Sequence, residues 1–152
     1  MANRVIQEDR IGAVGLGDTL DQLEQKYAVQ ESEFPYSEQL GYAISQCDDD
    51  DVVVFQADES GTVISIFTAS PQFLTENGGR VGMKLSQLIS LYPDGVISTG
   101  VEEGGWIAFR PHSLSEYFEF DLKNTEIECL RDYQNCSPDF YDRVAIGYWV
   151  LG

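Results

Sequence analysis

Residues 16–27 read LGDTLDQLEQKY, and residues 81–92 read VGMKLSQLISLY. The two stretches lie 65 positions apart and share the glycine, two leucines, the glutamine and the final tyrosine. In each, apolar residues recur every three or four positions, which predicts a short amphipathic helix after a glycine turn. Asp18 or Thr19 can cap the first helix, whereas Lys84 takes the place of Thr19 in the second. A stretch that recurs at a fixed period indicates a repeated structural unit.

The residues that follow each stretch match as well. At the same offset, alternating apolar positions pair as Val53 with Phe118, Phe55 with Phe120, and Ala57 with Leu122. Beyond a turn, Ile64 and Ile66 correspond to Ile127 and Cys129. Alternation of apolar and polar residues predicts strands. The repeat unit is therefore predicted to be a helix followed by an antiparallel meander.

This organisation places the chain in the α+β class, as two tandem helix-plus-antiparallel-meander repeats that form one continuous sheet with the helices packed on one face. The first repeat takes residues 1–77, with a helix near 19–28 and strands near 42–47, 52–58 and 62–69. The second takes residues 78–152, with a helix near 85–92 and strands near 106–110, 117–122, 126–133 and 144–151. The last of these strands has no predicted counterpart in the first repeat.

The motifs resemble a known family. A helix start of the form Leu-Gly-x-Thr-Leu-x-x-Leu at residues 16–23, followed by Gly-Thr-Val-Ile-Ser-Ile at residues 61–66, is similar to the repeat of β-lactamase-inhibitor-protein-like domains. It also resembles the single-unit SmpA/OmlA-type outer-membrane lipoproteins. The resemblance covers nearly the whole chain as two copies, and Lys84 departs from the pattern. It implies a tandem α/β repeat that binds other proteins or scaffolds an envelope assembly. The resemblance assigns no catalytic residues to this chain.

The chain is strongly acidic, with 26 Asp and Glu against 9 Lys and Arg and a net charge of −17. Such a field repels nucleic acid and anionic membranes and attracts a basic protein partner, although it can also serve solubility alone. The apolar share of 43% is typical of a globular protein and not of a disordered one. No stretch approaches the ~20 apolar residues of a membrane span.

Cys129 and Cys136 are disulfide candidates, because they flank a polar turn and would close a short loop. A disulfide would indicate an oxidising compartment, whereas three reduced thiols would suit a cytosolic protein. Residues 1–9 lack the apolar core of a signal peptide. The chain is therefore expected to be periplasmic or extracellular if Met1 was added to a mature exported form, and cytoplasmic otherwise.

Alternation separates the two faces of the predicted sheet, because neighbouring strand residues point to opposite sides. One face carries Phe118 and Phe120 and is assigned to the core, which leaves an acidic and aromatic face open. The predicted protein-binding residues on that open face are Trp106, Tyr117, Glu119, Asp121, Glu126 and Glu128. Aromatic anchors beside polar groups are typical of protein-binding surfaces. The alternative is that another strand, the C-terminal segment or a second copy of the chain covers this face.

Motifs that would indicate catalysis or metal binding are scarce in the sequence. His112 is the only histidine, and it lies in a predicted loop with no accompanying nucleophile motif. The four carboxylates at residues 48–51 lack the spacing of an EF-hand, so an acidic turn is predicted there and not a calcium site. Neither a cofactor nor a metal site is predicted.

The predicted function is that of a non-catalytic protein-binding domain of inhibitor or envelope-scaffold type. The second hypothesis is an acidic immunity or decoy protein that neutralises a basic partner, and the third is a hydrolase that uses carboxylates or His112. A steep salt dependence of association would favour the second, and a deep pocket with convergent polar groups would favour the third. The sequence determines neither the partner nor the oligomeric state.

Overall fold

The computed structural model of the chain describes residues 4–45, 52–123 and 125–152. Its α-helices are α1 (Leu20–Lys26), α2 (Leu85–Leu91) and α3 (Ile127–Arg131), and short 3₁₀ turns lie at Glu102–Gly104, Tyr133–Asn135 and Pro138–Asp142. Its strands are β1 (Ile6–Gln7), β2 (Arg10–Ile11), β3 (Val14–Gly15), β4 (Val29–Ser32), β5 (Gly41–Ser45), β6 (Val52–Ala57), β7 (Val63–Thr68), β8 (Val96–Gly100), β9 (Trp106–Arg110), β10 (Glu116–Phe120) and β11 (Ala145–Leu151). Cys47 and the acidic residues 48–51 lie outside the described residues. Within the described part, none of the helices has the length and apolar character that a membrane span requires.

The fold is α+β, but the prediction of one continuous sheet is wrong. The strands divide between a three-stranded antiparallel sheet, β1-β2-β3, and an eight-stranded antiparallel sheet in the order β4-β5-β6-β7-β11-β10-β9-β8. Each strand of the small sheet is two residues long, and the chain reverses between them at Asp9 and Gly12, which have φ of 61° and 55°. Such tight left-handed turns end the pairing after two residues. The segment therefore forms a separate ribbon and adds no strand to the main sheet.

The order of the eight strands is symmetric about the centre of the sheet. β4 to β7 run inward from one edge and β8 to β11 from the other, so that β7 and β11 pair antiparallel in the middle. α1 and α2 begin 65 positions apart, and so do β5 and β9. One seven-residue helix precedes four strands of the main sheet on each side, α1 before β4 to β7 and α2 before β8 to β11.

The strand predicted at residues 126–133 is wrong, because that segment contains α3. Cys129 and Leu130 are adjacent and both buried, while Ile127 is exposed. Adjacent residues point to opposite sides of a strand, so this burial pattern fits a helix. The prediction failed because the spacing of Ile127 and Cys129 alone does not separate a short strand from a short helix.

β11 has the same relation to the start of α2 as β7 has to the start of α1, although the sequence predicts no counterpart for it. The backbone bonds that join each helix start to its last strand match one for one: Gly17 N to Val63 O at 3.1 Å and Gly82 N to Ala145 O at 2.8 Å, then Val63 N to Asp18 O at 2.8 Å and Ala145 N to Met83 O at 2.8 Å. The segment between β10 and β11 contains α3, whereas β6 and β7 are joined without a helix.

The two helices start differently, as their sequences predict. The Thr19 hydroxyl accepts from Gln22 N–H at 3.2 Å, and the Gln22 side chain accepts from Thr19 N–H at 3.3 Å, which completes a capping box. In α2, Gln87 accepts from Lys84 N–H at 2.9 Å, but the lysine side chain has no acceptor to return the bond. The second helix start therefore keeps half of the box.

The core lies on one side of the eight-stranded sheet. Buried strand residues from both halves meet buried leucines of α1 and α2 in one cluster, which includes Val53, Phe55, Ile66, Phe118, Phe120, Tyr148, Val150, Leu23, Leu85 and Leu88. Phe55 and Phe120, which correspond at the 65-residue offset, are both almost fully buried. Burial of these apolar side chains stabilises the fold, and the opposite face of the sheet points away from this core.

Candidate protein-binding groove

An aromatic row crosses the face of the sheet opposite the core. Tyr117 pairs with Trp149 in register, Trp149 with Phe67, and Phe67 with Val54, so these side chains share one face across four strands. The Tyr117 and Trp149 rings stack at 6.3 Å between centroids, and the Phe67 and Trp149 rings lie 4.6 Å apart. Trp149, in the central strand β11, is the middle of the row.

Residues 33–40, which we call the crossing loop, lie over part of this row. Phe34 contacts Trp149 edge-on at 5.6 Å, and Tyr36 stacks on it at 6.1 Å. Ser37 accepts a hydrogen bond from the Gln56 side chain at 2.9 Å. The face is thus covered in part by the protein's own loop, and the C-terminal segment lies within the sheet and does not cover it.

Glu119 fastens the crossing loop to the sheet. Its Oε1 accepts from the Trp149 indole N–H at 2.8 Å, and its Oε2 accepts from the Tyr36 hydroxyl. That second bond is the main reason why the pKa of Tyr36 is raised to about 12, with burial and the carboxylate charge adding to it. Glu119 is therefore a positioning residue that orients two aromatic rings.

Tyr36 sits in an unusual backbone conformation. Its φ is +60°, in the left-handed region, although it is not a glycine. Its side chain is 85% exposed, so burial does little to compensate. Left-handed conformations cost a bulky residue on the order of 1–2 kcal/mol, and such strain often accompanies binding sites.

The opposite wall is the turn at residues 101–105. Glu103, Gly104 and Gly105 have successive φ of 55°, 91° and 97°. The φ of Gly105 favours glycine, and the turn comes close to α3, since an added Cβ would lie 2.6 Å from the Leu130 side chain. This sharp turn sets the carboxylate of Glu102 beside Trp106, and Glu103 on the same turn lines the groove.

Trp106 forms the lip of this wall. Its indole N–H donates to the Glu102 carboxylate at 3.3 Å, and 38% of its surface is exposed. An added Cβ on Gly100 would lie 2.4 Å from the indole, so the ring lies directly on the backbone of β8. The ring is held in place while its remaining surface is open to a partner.

Arg110 supports the floor. Its guanidinium carbon lies 4.8 Å from the centre of the Tyr117 ring, and its Nη1 donates to the Leu114 carbonyl at 2.5 Å. Burial, followed by the charge of Glu119, raises the pKa of Tyr117, and Arg110 opposes that shift. Tyr117 therefore stays neutral and presents an aromatic surface.

Between the crossing loop and the turn lies a groove of about 860 Å³. The residues that give it its chemistry are Tyr36, Glu102, Trp106, Tyr117, Glu119 and Trp149. A second depression of about 530 Å³ lies on the other side of the crossing loop, over Val52, Val54 and Phe67. The groove combines aromatic anchors with carboxylates, whereas the second depression has a mainly apolar floor.

Four of the six predicted binding residues come together here: Trp106, Tyr117, Glu119 and Asp121 all line the groove. Glu126 and Glu128 do not join them, because their segment is not a strand. Glu126 is the N-cap residue of α3, and Glu128 is an exposed residue of the same helix, 3.7 Å from Arg131. Their predicted place on the sheet face is therefore corrected.

Sequence reasoning missed Trp149, Tyr36 and Glu102. Trp149 lies in an unbroken apolar run whose pattern does not reveal which face it takes. Tyr36 lies in a segment that gave no strand or helix signal. Glu102 becomes important only through the turn that places it beside Trp106. The one histidine, His112, contacts Tyr92 edge-on at 4.9 Å and is not among the groove-lining residues.

Cys129 and Cys136 are joined in a disulfide, with their Cα atoms 4.7 Å apart. The bond closes α3 onto the following 3₁₀ turn. Leu130, next to Cys129, is the residue that Gly105 approaches. The disulfide thus lies directly behind the wall that carries Trp106.

Comparison with protein-family models and with curated proteins finds no match. Among solved structures, the chain is similar to the uncharacterised protein yfeY from Escherichia coli, with a TM-score of 0.58 and 14% sequence identity over 97% of this chain and 98% of that one. A likeness at this level of identity shows the fold alone. The fold and the groove together define an α+β domain with an aromatic, acidic site on the outer face of its main sheet.

Proposed function

We propose that the chain is a non-catalytic protein-binding domain of inhibitor or envelope-scaffold type, which holds its partner in the groove. The observation that carries this proposal is the placement of Trp106, Tyr117 and Tyr36 around one depression with acidic side chains between them. Tryptophan and tyrosine supply much of the binding energy in protein interfaces, because they bury a large area with few rotatable bonds.

The held geometry of the groove supports the same proposal. Glu119 fixes Trp149 and Tyr36, and Glu102 accepts from Trp106, so the aromatic rings are oriented before a partner arrives. Preorganised side chains lose less conformational entropy on binding, which favours affinity. A strained Tyr36 backbone in the covering loop is a further mark of a binding site.

The tandem arrangement is part of the proposal. We infer that residues 1–77 and 78–152 are two copies of one helix-plus-antiparallel unit. Support comes from the paired hydrogen bonds of Val63 and Ala145 to the two helix starts, and from the symmetric strand order. The crossing loop belongs to the first copy and the turn at residues 101–105 belongs to the second. The groove would then be built from parts that the two copies do not share.

The test compares one groove variant with one matched control. Trp106→Ala and Ile127→Ala each remove an exposed apolar side chain, but Ile127 lies on α3 and does not line the groove. With a partner captured by the wild-type protein, Trp106→Ala is expected to raise the dissociation rate by about tenfold or more, as for an interface anchor. Ile127→Ala should leave it within about twofold. Equal effects of the two variants would contradict the proposal.

A second candidate function, that of an acidic immunity or decoy protein, is favoured by the net charge of −17. In that case binding would depend on the overall field and not on the aromatic groove. Association would slow steeply as salt is added, and Trp106→Ala would have little effect on dissociation. The same kinetic measurement therefore separates the two.

The disulfide supports a proposal about the compartment. Bonds of this kind persist in oxidising environments such as the periplasm and the extracellular space. We propose that the protein acts there, with Cys129 and Cys136 linked.

A further inference from the structure

The charge of the groove is strongly one-sided. The carboxylates of Glu102, Glu103, Glu119 and Asp121 all belong to its lining. Among the described lining residues, Arg110 is the one basic side chain, and its guanidinium is already engaged by the Leu114 carbonyl and the Tyr117 ring. An anionic segment would meet uncompensated repulsion here, whereas a cationic segment would be attracted.

The carboxylates differ in what they can offer a ligand. Both oxygens of Glu119 accept bonds from within the protein, so it contributes charge but little direct bonding. Glu102 and Glu103 stand at the exposed lip, and one oxygen of Glu102 accepts a long bond from Trp106. The open surface of the Trp106 indole therefore lies beside the Glu102 carboxylate, and the exposed Glu103 follows on the same turn.

An aromatic face next to carboxylates suits a guanidinium group. Arginine stacks flat on tryptophan by cation–π attraction and at the same time donates a forked pair of hydrogen bonds to a carboxylate. A lysine ammonium gains the charge attraction but neither the flat stacking nor the fork. The chemistry of the lip thus favours arginine over lysine.

We propose that the groove recognises an arginine-bearing segment of a protein partner, with the guanidinium seated on Trp106 against Glu102 and attracted also by the charge of Glu103. This inference rests on the proposed function and names the class of partner that the groove accepts. The rest of the segment lies over Tyr117 and the open edge of Tyr36.

The chain carries its own reporter for the test. Its two tryptophans, Trp106 and Trp149, both line the groove, so a bound segment changes the intrinsic fluorescence. The probe is a short synthetic peptide that alternates arginine with valine, titrated at near-physiological salt. Two matched peptides replace arginine by citrulline, which keeps the shape without the charge, or by lysine. The citrulline peptide is expected to bind at least about tenfold more weakly than the arginine peptide, and lysine is expected to fall between them.

Two double variants locate the site. Glu102→Gln with Glu103→Gln neutralises the lip while leaving an acceptor for Trp106. Glu126→Gln with Glu128→Gln removes the same charge from α3, away from the groove. The lip variant should weaken the arginine peptide by about threefold to tenfold, and the α3 variant by less than about twofold, because exposed charges act mainly at short range in salt.

Equal binding of the arginine and citrulline peptides, or equal effects of the two double variants, would overturn the arginine proposal. That failure is distinct from a failure of the proposed function. If a captured partner still depends on Trp106 while the arginine peptide does not bind, the groove binds protein of another chemistry. If neither depends on Trp106, both proposals fall together.

Discussion

Removal of the Glu119 side chain is the sharpest single perturbation of this protein. Glu119→Ala takes away the acceptor of the Trp149 indole N–H, which is bonded at 2.8 Å and whose residue is only 5% exposed. A hydrogen bond to a charged group is worth roughly 1.5–3 kcal/mol, and a buried donor left without a partner loses that amount. The bond from Tyr36 adds roughly 0.5–1 kcal/mol, at the low end because its ring is largely exposed.

The expected loss is therefore about 2–4 kcal/mol in the free energy of unfolding, measured by chemical denaturation. For a domain of this size the melting temperature should fall by roughly 4–16 °C. Glu128→Ala is the matched control, since Glu128 is an exposed glutamate of α3 with only a weak contact to Arg131. It should change the free energy of unfolding by less than about 0.5 kcal/mol.

A double-mutant cycle isolates the bond between the crossing loop and the sheet. Tyr36→Phe alone should cost roughly 0.5–1 kcal/mol, and it should cost almost nothing when Glu119→Ala is already present. If Glu119→Ala unfolds within about 0.5 kcal/mol of the wild type, Glu119 is an ordinary surface residue. Glu119 would then not hold the groove together.

Phe55→Ala and Phe120→Ala should each destabilise the fold by about 3–5 kcal/mol, because both rings are buried at corresponding places. A small effect of either change in chemical denaturation would contradict the shared core. Thiol titration of protein from its native compartment, under denaturing and non-reducing conditions, should find one free thiol among three cysteines. Three free thiols would argue against the disulfide between Cys129 and Cys136. That disulfide should contribute about 2 kcal/mol to the free energy of unfolding. Burial raises the pKa of Glu116, so its contribution to stability is complete at low pH and is lost as the pH rises through the raised pKa. Glu116→Gln should therefore raise the melting temperature near about pH 7 and have a smaller effect near about pH 4. The opposite trend would contradict the burial of Glu116 as a charged group.

Much of the site's framework could be predicted from local pattern. Tyr117 and Glu119 alternate with Phe118 and Phe120, and a strand sends alternate residues to opposite faces wherever it pairs. Their place on the face opposite the core therefore followed from sequence alone. The same reasoning failed for Glu126 and Glu128, because a short apolar spacing is compatible with a strand or a helix until the neighbouring elements choose.

The covering of the site could not be predicted. Residues 33–40 have no periodic pattern, and their path depends on ring contacts with Trp149, which is more than a hundred positions away in the chain. The bond between Tyr36 and Glu119 joins residues 83 positions apart. Contacts of this kind depend on which strands become neighbours, and no local propensity encodes that choice.

By itself, the sequence determined the two helix starts, the alternation of the core strands and the acidic charge. These properties depend on residues within a few positions of one another, where backbone geometry sets the period. Only the tertiary structure decided that β11 enters the centre of the sheet between β7 and β10, and that Trp149 therefore becomes the middle of the aromatic row. The reason is that a strand's neighbours are selected by the packing of the whole core, which joins residues far apart in the chain.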